Sequence, residues 1–121
     1  MTTTSTRGFD LAGFVRATEE RDADQLAAQY AEDATVTIVD VDHQPRSPRI
    51  LSGRPEIRAW LEDVSSRDMT HKVVDPVQDA DRVALTEECR YPDGTNVLCS
   101  CTARLRDGLI SEQRVVQVWD A

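Results

Sequence analysis

No stretch of this 121-residue chain approaches the ~20 consecutive apolar residues that a membrane-spanning helix needs. The opening MTTTSTRGFD lacks the apolar centre of a secretory signal and reads as a short frayed tail over residues 1–8. Both absences point to a cytoplasmic protein with no membrane partner. Basic residues are in deficit, 14 Lys plus Arg against 22 Asp plus Glu, for a net charge of −8. That balance repels a phosphate backbone unless a local patch reverses it, and only Arg46, Arg49 and Arg54 come near clustering. A nucleic-acid partner is not expected.

Cysteine is scarce. The chain has three, all within residues 87–101, EECRYPDGTNVLCSC. Three thiols cannot all pair within one chain, and a cytosolic setting keeps them reduced, so a disulfide framework is a poor reading. There is no C-x-x-C, and His43 and His71 complete no recognisable zinc spacing. Neither a metal nor another cofactor is expected.

What is present suits one globular domain over residues 9–121, with 40% apolar and 30% charged residues and room for a core and one enclosed pocket. Phe9, Leu11, Phe14 and Val15 make a short helical stripe. Asp22, with Gln25 three residues on, has the form of a capping box and opens a second helix carrying Leu26, Ala27 and Tyr30. The β-branched alternation of ATVTIVD, residues 34–40, predicts a strand. Residues 41–53 read as a long loop with a short edge strand around Ile50 and Leu51. Gly53 and Pro55 then start a third helix through Ile57, Trp60, Leu61 and Val64, Pro55 fitting a first turn.

From Met69 onward the pattern is strand, turn, strand, over about 69–78, 82–91, 95–105 and 109–119. The turns YPDGT and LRDGL both suit type I turns followed by a glycine bulge. Helices followed by an antiparallel meander make the fold class α+β. Alternation places Val83, Leu85, Glu87, Cys89 and Tyr91 on one face, with Val97, Cys99, Cys101, Ala103 and Leu105 on the same side of the next strand. This odd-numbered face is the more apolar and should meet the helices. Closing YPDGT with Tyr91 opposite Thr95 pairs Glu87 with Cys99 and Leu85 with Cys101. Closing LRDGL likewise sets Cys101 against Gln113 and Cys99 against Val115. On the first meander strand the same parity turns Met69, His71 and Val73 inward. An apolar interior with a few polar members is the composition of a small-molecule pocket.

The segments DADQLAAQYAEDATV, LSGRPEIRAWL, DRVALTEECRYPDG and RDGLISEQRVVQVWD resemble the nuclear transport factor 2-like superfamily, in its SnoaL-like, polyketide cyclase branch. The resemblance implies a cone: a curved, mostly antiparallel sheet wrapped round three N-terminal helices, with a pocket in the mouth. It also implies a homodimer packed through the outer sheet face. Ketosteroid isomerases of this superfamily use a tyrosine, an aspartate base and a protonated aspartate. The matching positions here look like Phe14, Ile38 and Cys101, so that residue set is not intact. The aspartate of limonene epoxide hydrolase falls at Val115, so that set is not intact either.

His71 titrates near neutral pH and is the first candidate for moving protons. Glu87 is a carboxyl in an apolar row and a second candidate, within reach of His71 across the first hairpin. Asp40, two residues past Ile38, is a third, or else part of a solvated loop with Asp42 and His43. Tyr30, Trp60 and Trp119 read as core and pocket wall, and Gln113 and Gln117 as polar groups able to hold a developing oxyanion. Cys89, Cys99 and Cys101 read as small fillers, because Glu87 beside Cys99 would raise a thiol pKa. The function expected is cofactor-independent acid–base chemistry on a small apolar molecule: cyclisation, isomerisation, dehydration or hydrolysis. The alternative is a ligand-binding or dimeric accessory module of the same fold.

Overall fold

Asp10 and Asp22 open the first two helices of the computed structural model, which describes residues 8–121. The tail expected over 1–8 lies, Gly8 apart, outside the described residues. Asp10 accepts from the Gly13 amide at 2.9 Å and caps α1 (Leu11–Glu19). Asp22 accepts from the Gln25 amide at 3.1 Å and caps α2 (Ala23–Ala27), as the sequence pattern leads one to expect. Helix α3 (Arg54–Ser66) carries Pro55 in its first turn and buries Ile57 and Leu61. No helix among the described residues is long and apolar enough to cross a membrane.

Six strands form one sheet: β1 (Tyr30–Val39), β2 (Arg49–Ser52), β3 (Thr70–Gln78), β4 (Arg82–Arg90), β5 (Asn96–Arg106) and β6 (Leu109–Trp119). Their order is β2-β1-β6-β5-β4-β3, so the meander hairpins stack outward from β6 and β1 closes beside it. Every pairing is antiparallel except β1 with β6, which is parallel. The class is α+β with three helices against a curved sheet, as expected from the sequence.

Tyr30 is not on α2. The helix stops at Ala27, and Tyr30 opens β1 opposite Ile110. Its carbonyl accepts from the Arg54 guanidinium, and the Ile110 amide donates to the neighbouring Gln29 carbonyl at 2.9 Å. Pairing with a distant strand takes the backbone that a further helical turn would need, a contest local propensity cannot decide. Bulges bend the sheet around the helices, one in β3 between Val74 and Val77 and one in β5–β6 at Arg104.

The β4–β5 register is the one read from the sequence, Glu87 against Cys99 and Leu85 against Cys101. The YPDGT loop also closes as expected: Tyr91 N donates to Thr95 O at 2.9 Å, and Gly94 takes φ 92° at the bulge position. The β5–β6 register differs. Cys101 faces Val115 rather than Gln113, and Cys99 faces Gln117 rather than Val115. Two local causes add. Asp107 and Gly108 both have positive φ, 54° and 78°, so the turn is a tight two-residue one and shifts the pairing by one. The bulge between Arg104 and Leu105 shifts it by one more. An even total leaves every side chain on its expected face.

Consequently the odd-numbered face is buried. Val83, Leu85, Cys89, Val97, Cys99, Cys101 and Ala103 all point into the core, while Leu98, Ser100, Thr102 and Arg104 are exposed. Ile57, Ile110, Val36 and Ala34 have no measurable exposure, and α3, which carries Ile57, packs on β1 and β2. The fully buried Ile and Val side chains contribute ~1.5–3 kcal/mol each.

Candidate active site

Between the helices and the concave face lies a cavity of about 80 Å³. Its walls follow from the ladder. One row runs His71, Cys89, Val97, Trp119 across β3, β4, β5 and β6, and the next runs Val73, Glu87, Cys99, Gln117. From a third row, Leu85, Cys101, Val115 and Ile38, only Cys101 and Val115 reach the cavity. Phe14 from α1, Trp60 from α3 and Met69 before β3 close the apolar side. Tyr91 stacks on Trp119 with ring centroids 5.8 Å apart, bounding the space near Val97.

The polar members converge. His71 Nδ1 lies 3.2 Å from Cys89 Sγ and 3.7 Å from Glu87 Oε1. The Cys101 thiol donates to Glu87 Oε2 at 3.5 Å. The His71 side chain is only 6% exposed and that of Glu87 18%, so these charges act in a medium of low polarisability. The bonds to Cys89 and then Glu87 raise the His71 pKa to about 9, against the cost of burial. A hydrogen bond from Cys99 lowers the Cys89 pKa to about 6, assisted by His71 and opposed by burial and the Glu87 charge. Both shifts favour the imidazolium–thiolate form of the pair. Cys99 and Cys101 go the other way. Donation to Cys89 and then burial push Cys99 up, and burial with the nearby Glu87 pushes Cys101 up.

On the far wall Tyr30 donates to Gln113 Oε1 at 2.6 Å, and Trp119 Nε1 donates to Gln117 Oε1 at 3.1 Å. An indole nitrogen can only donate, which fixes the Gln117 amide with its oxygen toward Trp119. Among the described residues neither glutamine NH₂ group has a protein acceptor, so both stay available as donors to a bound molecule. Burial pushes the Tyr30 hydroxyl pKa far up, which excludes it as a base at any ordinary pH.

His71 Nδ1, a Glu87 oxygen and Cys89 Sγ lie within 4.8 Å of one another, a grouping sequence spacing did not suggest. The geometry favours shared protons over a shared cation. The 3.2 Å N···S contact is a direct hydrogen bond, shorter than the ~3.5 Å that nitrogen and sulfur ligands keep around tetrahedral zinc.

Of the residues singled out from sequence, His71, Glu87, Phe14, Tyr30, Trp60, Met69, Cys89, Cys99, Cys101, Gln113, Val115, Gln117 and Trp119 line this cavity. Asp40 and Ile38 do not. Asp40 Oδ1 accepts from the Asp42 amide at 3.0 Å and contacts His43 Nδ1 at 2.8 Å, which commits the carboxyl to its own loop. Ile38 is buried in the core beside Val115. Sequence reasoning missed Arg21 and Arg67, which also line the cavity. Arg67 Nη1 donates to the Tyr91 hydroxyl at 3.2 Å. No periodicity marks them, because both stand just past helix ends, Arg21 with φ 57°.

A three-helix, curved-sheet cone with a polar cluster in its cavity defines the nuclear transport factor 2-like class. Residues 11–113 match the SnoaL-like domain family, and the chain belongs to that family. Its fold resembles that of an NTF2-like protein of unknown function from Mesorhizobium loti (TM-score 0.76, 16% identity, 87% of this chain and 84% of that one). It also resembles a candidate ketosteroid isomerase from Kribbella flavida (0.71, 19%, 91% and 74%). A loop-truncation variant of IdmH gives 0.66 at 26% identity, over 88% of each chain. No curated protein matches the chain in sequence.

Proposed function

We propose that this protein is a cofactor-independent acid–base enzyme acting on a small, mostly apolar molecule, by isomerisation, cyclisation, dehydration or hydrolysis. One observation carries the reading: His71 Nδ1 is bonded to Cys89 and flanked by Glu87 on the wall of a mostly apolar cavity. A charged trio in such a place is costly unless it is used or fully paired. His71 is the proton donor in this scheme, the Cys89–Glu87 side receives the proton, and Gln113 and Gln117 hold the oxyanion that forms. The cavity of about 80 Å³ lies well under the ~300 Å³ at which drug-sized sites begin, which favours a substrate far smaller than a steroid.

A second reading, a ligand-binding module without turnover, draws support from Phe14, Ile38, Cys101 and Val115 standing where relatives carry catalytic groups. A thermal-shift screen of small carbonyl compounds on the native protein and on His71→Ala separates the two. Ligands that stabilise the native protein, are converted by it and lose conversion in His71→Ala support the enzyme. Binding without conversion, unchanged by the substitution, supports the module and removes the role given to His71.

A further inference from the structure

His71 and Cys89 face each other directly across the β3–β4 ladder, with Nδ1 3.2 Å from Sγ on the cavity wall. Cys99 stands on β5 opposite Glu87, and Glu87 Oε1 stands 3.7 Å from the ring nitrogen. A sulfur held against an imidazole, with a carboxyl steadying the imidazolium, is built for attack on carbon. We propose that Cys89 is a nucleophile that adds reversibly to the β-carbon of a small α,β-unsaturated carbonyl compound, with His71 delivering the proton. This names the substrate class for the acid–base site above and rests on that reading for what the cavity is for.

The step balances with the groups present. A lone pair on Cys89 Sγ forms the S–C bond, and the C=C π pair moves through the enolate. His71 Nδ1, released from the sulfur, passes its proton to the α-carbon. In reverse, Nδ1 takes that proton back and the S–C pair returns to sulfur. Between the two halves the former double bond is single and can rotate, so the net change is isomerisation about it. The amide hydrogens of Gln113 and Gln117 are placed to meet the enolate oxygen. No oxidant, reductant or second substrate is needed. An acyl transfer, by contrast, would require a positioned water to free the sulfur again.

The groups facing the pair decide which sulfur reacts. They are Glu87 on β4, Cys99 and Cys101 on β5, Tyr30 on β1, and Arg21 and Arg67 beside the cavity. Cys99, Cys101 and Tyr30 are all pushed up and stay protonated, while Cys89 is drawn down to about 6. At neutral pH that raises the thiolate fraction about ninety-fold over a thiol of ordinary pKa. The weaker base is roughly twenty-fold less nucleophilic, so the net gain in rate is only about four-fold. The pH profile, not the raw rate, is the discriminating readout.

The test treats the native full-length protein with methyl vinyl ketone across a pH series and reads intact mass and the labelled peptide. The expected result is a single adduct at Cys89, its rate rising with a midpoint at pH about 6 and levelling off above it. In His71→Gln the midpoint moves toward the ordinary thiol value of 9.0. Labelling at Cys99 or Cys101 instead overturns the proposal. So does a native protein that resists labelling when the unfolded chain takes up three adducts, or one that carries bound zinc blocking the reaction. An identical profile in His71→Gln also overturns it. If that variant does not fold, the wild-type midpoint decides, near 6 in favour and near 9 against. Labelling with a low midpoint alongside no ligand in the thermal-shift screen leaves Cys89 reactive and removes the enzyme reading. Ligand conversion without labelling does the reverse.

Discussion

Tyr30 donates to Gln113 Oε1 at 2.6 Å from a fully buried position, and the bond joins the start of β1 to the cavity wall. Tyr30→Phe keeps the ring and strips the glutamine oxygen of its donor. A loss of about 1–3 kcal/mol in urea unfolding is expected, the cost of leaving a buried acceptor unpaired. The His71–Cys89 pair gives a second prediction, on pH. The His71 pKa is raised from 6.5 to about 9, so its share of stability is complete below 6.5 and fades as pH climbs through 9. The Cys89 pKa is lowered from 9.0 to about 6, so its share is complete above 9.0 and fades as pH drops through 6. These are two ends of one ion pair, so the pair contributes most between about 6 and about 9. Thermal melts of the native protein should show a broad maximum there, and His71→Ala should flatten it. At this scale the sequence was partly legible. Parity turns His71, Glu87 and Cys89 inward, but the sequence argument against a reactive thiol rests on Glu87 beside Cys99 alone. His71, which assists Cys99 in lowering the Cys89 pKa, reaches the sulfur through the β3–β4 ladder, whose register does not follow from the short QDAD turn.

At the scale of elements, Gly108 has φ 78° next to Asp107 at 54°, in a turn with both central residues left-handed. Gly108→Ala should cost about 1–2 kcal/mol in the same urea measurement, since an alanine there carries the left-handed penalty. Gly94, at the bulge of the YPDGT loop, marks the other hairpin. The two turns look alike in sequence, x-D-G-x each, yet one closes over three residues and the other over two. Pro92 explains the difference: it stands where LRDGL has Arg106, has no N–H with which to close a two-residue turn against Thr95, and its fixed φ suits the first central position of a type I turn. Strand content and facing were therefore readable, while the β5–β6 register was not. Tyr30 was assigned to α2 for a related reason, because only pairing with β6, some eighty residues later, takes it into the sheet.

For the whole molecule, Leu98 and Val118 face each other across β5 and β6 on the outer face, 51% and 64% exposed. Val116, between Ser100 and Val39, extends the apolar strip. The homodimer implied by the sequence resemblance would cover it. Sedimentation equilibrium should then return a dimer, and Leu98→Lys combined with Val118→Lys should shift it to monomer with the melt retained. A monomeric native protein would remove that surface from the account. The central claim is smaller and sits inside the cone: that His71, Cys89 and Glu87 share protons as one unit beside an apolar cavity. The direct measurement is an NMR pH titration of the His71 ring in the native protein. A midpoint near 9, returning toward 6.5 in Cys89→Ser, is the predicted result. A midpoint near 6.5 in the native protein would contradict it, leaving His71 an isolated imidazole and the cavity without its proton donor.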